Sequence, residues 1–362
     1  MTFSAEQKTA FKDELKSLLQ VYTSSGNETP MLEYLYPLTK PYCEEVYEDG
    51  FGNLVCHVGG SGKKLLITAH IDEVGFIVKS IDKNGFIFFQ KFGGIPEKQL
   101  EARQVILNGK IPGVIGCKPG HLQTPQEQMQ ATPINQLFVD IGASSREEVE
   151  ALGIEVGTFF SMQYNYTELV FPDMICSRSL DDRVGCALLL GLMKTVKKED
   201  LKYDLYLGFT LQEETGLRGA QAIANGLEPD YAISVDTVPC ADTPFTNYER
   251  DLPLELGKGF CLSLTESRVA YASPRMVKQV KMIQKATGIP MQTASTTGMA
   301  GTDSAIMSLS GKGTQVCTMT IPRRYSHTQV ELMNINDALA CGAMLKAFAT
   351  TEHQFPPVHE RL

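Results

Sequence analysis

The spacing of apolar positions divides the chain into three parts. In the first, up to about residue 73, two amphipathic helical patterns near 5–21 and from about Glu28 precede two β-rich runs, NLVCHV and KLLITAH. From about 74 to 165, short β-rich pieces such as GFIVKSID and FIFFQKF are separated by Gly, Pro, Asn and Asp. From about 166, strand patterns such as DLYLGFTLQ, YAISVD and TQVCTMTIP alternate with helical ones.

This alternation predicts an α/β fold, a mixed and mostly parallel sheet flanked by helices. The segment 74–165 predicts a small β-rich domain inserted into a larger domain made of 1–73 and 166–362. Several of its strands could pair with a second copy, so it is the candidate for an oligomer contact.

The segment GGSGKK between the first two strand patterns contains glycines and lysines, so a phosphate-binding loop has to be considered. Such a loop needs Ser or Thr after its Lys and must open a helix. Here Leu65 follows Lys64 and a strand comes next. We therefore predict a hairpin turn.

Composition narrows the function classes. The chain has 362 residues and a formal net charge of −9 without a Lys/Arg block, which argues against nucleic-acid and anionic-membrane partners. The longest apolar run, CALLLGLM, is too short to span a bilayer, and the N-terminal residues lack the apolar core of a secretory signal. Nine cysteines without a C-x-x-C pair indicate reduced thiols in a cytoplasmic protein.

Acidic and imidazole side chains collect where the predicted strands end. The run KLLITA is followed by His70 and soon by Asp72, and DLYLGFTLQ by Glu213 and Glu214. Further members of the set are Asp181, Asp236 and His327. Because ligands of open α/β sheets bind at the carboxyl ends of the strands, these residues are expected at one rim.

Several carboxylates in one partly dry site repel each other unless cations balance them. A mixed His/Asp/Glu set suits zinc or cobalt and is too rich in nitrogen for calcium. Five ligands with one shared carboxylate would give each of two ions three protein contacts and leave room for a bridging water. Hydrolysis would then still need a proton shuttle that is not bound to metal.

Six short motifs occur in an order that resembles the glutamyl aminopeptidase family, the tetrahedral (TET) metallo-aminopeptidases. They are HIDEVG at 70–75, SLDDRVG at 179–185, QEETGLRGA at 212–220, VD at 235–236, MAGTDS at 299–304 and RRYSHTQVE at 323–331. The similarity runs from about residue 12 to 350. It implies a zinc-exopeptidase-like catalytic domain whose inserted β-rich domain builds dimers that assemble into dodecamers.

The resemblance also implies a role for each site residue. His70 and Asp236 would bind one metal, Glu214 and His327 the other, and Asp181 would bridge the two. Glu213 would be the general base that takes a proton from the bridging water. Asp72 would hydrogen-bond to His70 and set its tautomer.

Each residue taken alone also has a plain structural reading. Asp181 could be a helix cap and Asp236 a strand-ending turn residue, and a lone His70 or His327 could be structural. His57, His121, His353 and His359 lack motif support, so we expect them to be structural. Arg323, Arg324 and Lys258 could lie near the substrate pocket, but we expect them to be exposed and solvated.

The leading hypothesis is therefore a dinuclear zinc or cobalt aminopeptidase acting on short peptides. Alternatives are an amidase, deacylase or glycan-directed hydrolase on the same scaffold, or a non-catalytic assembly homologue. The sequence leaves open whether acidic, aliphatic or basic N-terminal residues are preferred.

Overall fold

The computed structural model describes residues 2–266, 270–296 and 301–356. In that part of the chain the strands are β1 (Glu45–Glu48), β2 (Leu54–Gly59), β3 (Lys64–His70), β4 (Gly75–Ile81), β5 (Ile87–Phe92), β6 (Gln104–Leu107), β7 (Ile111–Gly116), β8 (Phe138–Asp140), β9 (Phe159–Met162), β10 (Thr167–Glu168), β11 (Met174–Ser177), β12 (Asp204–Thr210), β13 (Tyr231–Pro239), β14 (Phe260–Glu266), β15 (Ala270–Tyr271), β16 (Met291–Ser295), β17 (Gln315–Arg324) and β18 (Glu331–Asn334). The α-helices are α1 (Ala5–Leu19), α2 (Thr29–Thr39), α3 (Pro125–Gln128), α4 (Arg146–Ala151), α5 (Leu180–Thr195), α6 (Arg218–Leu227), α7 (Tyr248–Asp251), α8 (Pro274–Thr287), α9 (Asp303–Met307) and α10 (Ile335–Ala349).

The large sheet has the strand order β1-β2-β12-β3-β13-β17-β18-β11-β10, and β14, β15 and β16 extend it from β17. Its centre, β12-β3-β13-β17, is parallel. Antiparallel strands flank this centre on both sides. The predicted α/β fold with a mixed sheet is confirmed.

Helices cover both faces of the sheet, as strand β3 shows. Leu65 and Ile67 pack into the larger core with helices α1, α5 and α10. Leu66, which points to the opposite face, packs with α6 and α9. A strand buried on both faces is continuously apolar, which explains why KLLITAH lacks polar alternation.

Six strands between Gly75 and Met162 close into a separate small barrel of order β4-β5-β8-β7-β6-β9. Its own core includes Phe76, whose ring centroid lies 4.9 Å from that of Phe160 and 5.4 Å from that of Phe89. The barrel falls inside the segment 74–165. The division into two domains at those limits stays a prediction.

The predicted hairpin at GGSGKK is wrong. Strands β2 and β3 on either side of it are not neighbours, because β12 lies between them, antiparallel to β2 and parallel to β3. The segment instead links two strands across a third. The local pattern could not show this, since β12 comes from about 140 residues further along the chain.

The parallel centre determines where the chemistry collects. Strand β3 lies between β12 and β13, so the connection through α6 crosses over β3. Parallel strands present their carboxyl ends at one edge, and a crevice forms where the order of the strands reverses. The ends of β3, β12, β13 and β17 meet at this edge.

Candidate metal centre

Most of the predicted site residues lie near the carboxyl end of a central strand, whereas Asp181 lies in the first turn of α5. His70 is the last residue of β3 and pairs in register with Thr210 at the end of β12. Asp236 lies within β13, which continues to Pro239, and His327 follows β17. Residues that are more than 250 positions apart in the sequence thus meet at one rim.

A turn of residues 211–217 carries the two adjacent glutamates. The carboxylate of Asp72 accepts the backbone N–H of Glu213 at 3.0 Å and that of Glu214 at 3.2 Å. Gly216 has φ of +123°, a conformation that suits glycine, and α6 begins two residues later. The turn therefore holds both carboxylates at the rim, and the hydrogen bonds to Asp72 fix the conformation of the turn.

Asp72 is fully buried and also touches the neighbouring imidazole. Its Oδ1 lies 3.4 Å from Nδ1 of His70, and its backbone carbonyl is 3.1 Å from the same nitrogen. Ser25 donates a hydrogen bond to its Oδ2. Contacts of this kind orient a ligating histidine and fix its tautomer.

Asp181 lies between the two predicted metal-binding histidines. Its Oδ1 is 3.3 Å from Nε2 of His70, and its Oδ2 is 3.2 Å from Nε2 of His327. Asp181 has non-helical backbone angles ahead of the regular part of α5, which turns its carboxylate toward the rim. The position suits a carboxylate shared by two ions.

Among the residues that the structure describes, three groups of side chains offer ligand atoms within 4.8 Å of one another. One group is His70, Asp181 and Asp236, and a second is Asp181, Glu214 and His327. These two sets share Asp181 and match the two predicted ligand sets. The third group consists of His70, Glu213 and Glu214. The position of Glu213 would therefore also allow it to bind a metal ion.

The pKa shifts of the carboxyl groups in this cluster indicate that it contains too little positive charge. Burial raises the pKa of Asp236 and of Glu213 well above the usual range, and it raises the pKa of Glu214 to about 7. Burial lowers the pKa of His327, but its hydrogen bond to Asp181 and the charge of Glu214 outweigh this and raise it to about 9. Carboxylates that cannot all ionise here would do so beside divalent cations.

The residues present fit such cations. Oε1 of Glu214 is buried without a hydrogen-bond partner among the described residues, although Nε2 of His327 lies 3.5 Å away. Two imidazoles and several carboxylates form a donor set typical of zinc and cobalt. A cation between these atoms would satisfy the orphaned oxygen and neutralise the cluster.

A cavity of about 380 Å³ opens at the centre. It is lined by the site residues Asp181, Glu213, Glu214, Asp236 and His327 and by Gly94, Gly216, Leu217, Thr237, Val238, Pro239, Ser263, Glu266, Thr296, Gly301, Thr302, Thr320, Arg323 and Ser326. Gly94 comes from the inserted segment, and a Cβ there would lie 2.7 Å from Nδ1 of His327. The barrel segment therefore closes one side of the site.

Comparison with known proteins decides the family. The family model described as M42 glutamyl aminopeptidase matches residues 52–344, most of the chain. The chain belongs to the M42 family. It is accordingly a peptidase, a hydrolase of peptide bonds, and the groups that could hold metal agree with the metal dependence of M42 peptidases.

The similarity of this M42 chain to individual relatives covers almost its whole length. The Escherichia coli (strain K12) protein FrvX is 33% identical, with 93% of this chain and 94% of FrvX covered. A lysyl aminopeptidase of Pyrococcus furiosus is 30% identical, with 89% and 92% covered. The solved structure of the Pyrococcus horikoshii TET1 peptidase is 30% identical and superposes with a TM-score of 0.83 over 94% of this chain and 99% of that one.

Two charged residues of the M42 site were missed or misread from the sequence. The expectation that Arg323 is exposed is wrong: it is 3% exposed and donates to the carboxylates of Asp181 and Glu331. Glu331 also accepts the backbone N–H of His327 at 2.8 Å and that of Asp181 at 3.1 Å. Arg323 and Glu331 together hold Asp181 and His327 in position. The signal in the sequence for a role at the site was the closeness of both residues to His327.

The remaining predictions at charged and histidine positions have mixed outcomes. Arg324 is not simply solvated, since it forms two 2.8 Å bonds to the carboxylate of Asp242, whereas Lys258 is exposed. His57 bonds to Asp204 at 2.6 Å and stacks on Tyr206, a structural role.

His121 is exposed, and the ring of His353 packs against that of Tyr231. His359 lies outside the described residues, as do Met299 and Ala300 of the MAGTDS motif. Among the helices that the structure describes, none has the length and apolar character needed to cross a membrane.

Proposed function

We propose that this M42 peptidase is a dinuclear metal-dependent aminopeptidase that removes N-terminal residues from short peptides. The observation that carries the proposal is the pair of three-residue ligand groups that share Asp181. His70 and Asp236 would hold one ion, and Glu214 and His327 the other. Zinc or cobalt suits this set of nitrogen and oxygen donors.

The bound ions would polarise the scissile carbonyl and lower the pKa of an attacking water. The residues of the chain supply the proton transfers. Burial raises the pKa of the Glu213 carboxyl well above the usual range, which makes its carboxylate a stronger base than an exposed one. Glu213 would take a proton from the water and deliver it to the leaving amine.

The neighbours of this base keep it in place. Asp72 accepts the backbone N–H groups of Glu213 and Glu214, so both side chains start from a fixed turn. Nε2 of His70 lies 3.9 Å from Oε2 of Glu213, close enough to favour the ionised form of the base. Misplacement by about 1 Å would cost much of the rate.

Family membership does not decide which N-terminal residue is removed. The family description names a glutamyl aminopeptidase, while one relative is named a lysyl aminopeptidase. The Pyrococcus horikoshii TET1 peptidase can assemble into a tetrahedron or a large octahedral shell, which supports the proposal that this chain forms a homo-oligomer of dimers. A cytoplasmic location stays a prediction.

The test is an initial-rate screen over aminoacyl p-nitroanilides with the chelated enzyme and with zinc or cobalt added back. We expect turnover of at least one anilide that is lost on chelation and restored by metal. Hydrolysis of acetylated amines or cellodextrins, with every aminoacyl anilide left intact, would support the amidase or glycan-directed alternative instead.

A further inference from the structure

The cavity extends from the metal centre to a second carboxylate, that of Glu266 on β14. Among the described lining residues outside the predicted metal centre, Glu266 and Arg323 are the charged ones. The guanidinium of Arg323 already donates to Asp181 and Glu331. Glu266 is therefore the charge that remains for a substrate side chain.

A bulge directs Glu266 toward the same side of β14 as Ser263. These residues are three positions apart and would face opposite sides of a regular strand. The register of β14 with β16 shifts between Ser263 and Thr265, which inserts one extra residue. Both side chains therefore line the cavity.

A polar path joins this carboxylate to the metal centre. Asp236 pairs in register with Thr320, whose Oγ1 lies 3.3 Å from Oγ of Ser263. The three residues from Ser263 to Glu266 span about 10 Å of strand. A long substrate side chain is needed to reach Glu266 from the rim.

Within the part of the chain that the structure describes, the hydrogen bonds of Glu266 leave its charge uncompensated. It is 5% exposed, and Oε2 accepts the N–H and Oγ1–H of Thr302 at 3.1 and 2.7 Å. Oε1 accepts the hydroxyl of Ser304 at 3.2 Å. All three donors are neutral, no ion pair joins Glu266 to another described residue, and a carboxylate can accept about four hydrogen bonds.

We propose that the cavity between the metal centre and Glu266 is the subsite for the N-terminal side chain, and that Glu266 selects peptides beginning with lysine or arginine. The proposal rests on the aminopeptidase function proposed above. A substrate ammonium or guanidinium would use the free acceptor position and supply the missing positive charge. Lysine and arginine combine a long, flexible side chain with a cationic end, which a subsite that ends at a buried carboxylate requires. An acidic side chain would meet a like charge.

The experiment compares wild type with Glu266→Gln on lysyl, arginyl, leucyl and glutamyl p-nitroanilides with metal added. Wild type should prefer the lysyl and arginyl substrates. Because a charge-assisted hydrogen bond is lost, kcat/KM of the variant should fall about 10- to 100-fold on these two, mainly through KM, and stay within about twofold on leucyl anilide. Glu249→Gln, at an exposed glutamate outside the cavity, is the matched control and should leave all four values unchanged.

The outcomes separate this inference from the proposed function. Wild type that hydrolyses none of the anilides overturns the proposed function and the inference together. Wild type that is active, with a lysyl-to-leucyl ratio unchanged by Glu266→Gln, overturns the inference alone.

If Glu266→Gln fails to fold, inhibition of wild type by free L-lysine and L-norleucine replaces it. These amino acids share an unbranched stem and differ chiefly in the ammonium group. Lysine should inhibit at least about 10-fold more tightly, and equal inhibition overturns the inference.

Discussion

Glu213 and Glu214 are neighbours in the chain with different surroundings. Oε1 of Glu214 faces His327 at 3.5 Å, whereas Oε2 of Glu213 faces His70 at 3.9 Å. Burial raises the pKa of both, for Glu214 to about 7 and for Glu213 well above its usual range. The different histidine neighbours agree with the division between a ligand and a base that the family resemblance implies.

Glu213→Gln tests that division. The amide has the shape of the carboxylate but cannot take a proton, so kcat on the best anilide should fall about 10²- to 10⁴-fold while the metal content stays that of wild type. Glu199→Gln, at an exposed glutamate on the surface, is the control. Loss of metal together with activity would make Glu213 a ligand, and wild-type turnover would exclude it as the base.

Asp72→Asn tests the support beneath the site. The introduced amide could accept one of the two backbone N–H groups, but its NH₂ would oppose the other, so the turn with Glu213 and Glu214 should loosen. We expect zinc affinity to fall about 10- to 100-fold in competition with a chromophoric chelator. Asp82→Asn is matched, because Asp82 also accepts two backbone N–H groups but lies in the barrel hairpin. Equal affinities of the two variants would contradict the role of Asp72.

At the scale of elements, the loop before β14 is tied to helix α10. Asp337 of α10 is fully buried and accepts the N–H of Gly257 at 2.7 Å and that of Gly259 at 2.6 Å. Burial raises its pKa to about 7, although these two bonds act in the other direction. The strand that carries Glu266 thus begins at a loop whose anchor titrates near neutral pH.

The sign of the resulting pH effect follows from proton linkage. An unfolded Asp has a pKa of about 3.9, so between about pH 4 and pH 7 the folded chain holds a proton that the unfolded chain has lost. The contribution of Asp337 to the free energy of unfolding therefore falls as the pH rises through this window. Asn cannot ionise and lacks this pH dependence. The free energy of unfolding of Asp337→Asn, taken relative to that of wild type, should therefore rise by on the order of 2–4 kcal/mol from pH 5 to pH 8. Calorimetric Tm values would show it; a Tm difference independent of pH would contradict it.

Elements were predictable where the signal is local. KLLITAH is a strand because both of its faces are buried, and the pattern after Gly216 is a helix because the glycine permits the turn. The GGSGKK link was not predictable, because its neighbour β12 is remote in sequence. For Arg323 the closeness to His327 in the sequence indicated a place near the site, but not its burial, since only the folded rim brings Asp181 to it.

At the scale of the whole molecule, the inserted segment both closes the site through Gly94 and carries exposed apolar side chains. Leu122 is 68% exposed and Met129 is 83% exposed. Exposed apolar residues in a segment expected to build dimers support its role as the oligomer contact. Exposing the side chains of Leu122 and Met129 to water is unfavourable, and burial at a subunit contact would remove this cost.

The assembly is tested by native mass spectrometry. Wild type should give a mass corresponding to twelve chains, and the double variant Leu122→Asp, Met129→Asp should give smaller species because charges at a contact are desolvated. Leu309→Asp, at a residue 78% exposed and outside the segment, is the control. A monomeric wild type would contradict the assembly, and an intact double variant would place the contact elsewhere.

The central claim is that two cations complete the rim around Asp181, and titration calorimetry of the chelated enzyme with zinc or cobalt tests it most directly. We predict binding of two equivalents per chain, with anilide turnover appearing as the ions bind. His327→Ala should lower the stoichiometry toward one. Full turnover by the chelated enzyme, or saturation at a single equivalent with full turnover, would contradict the claim.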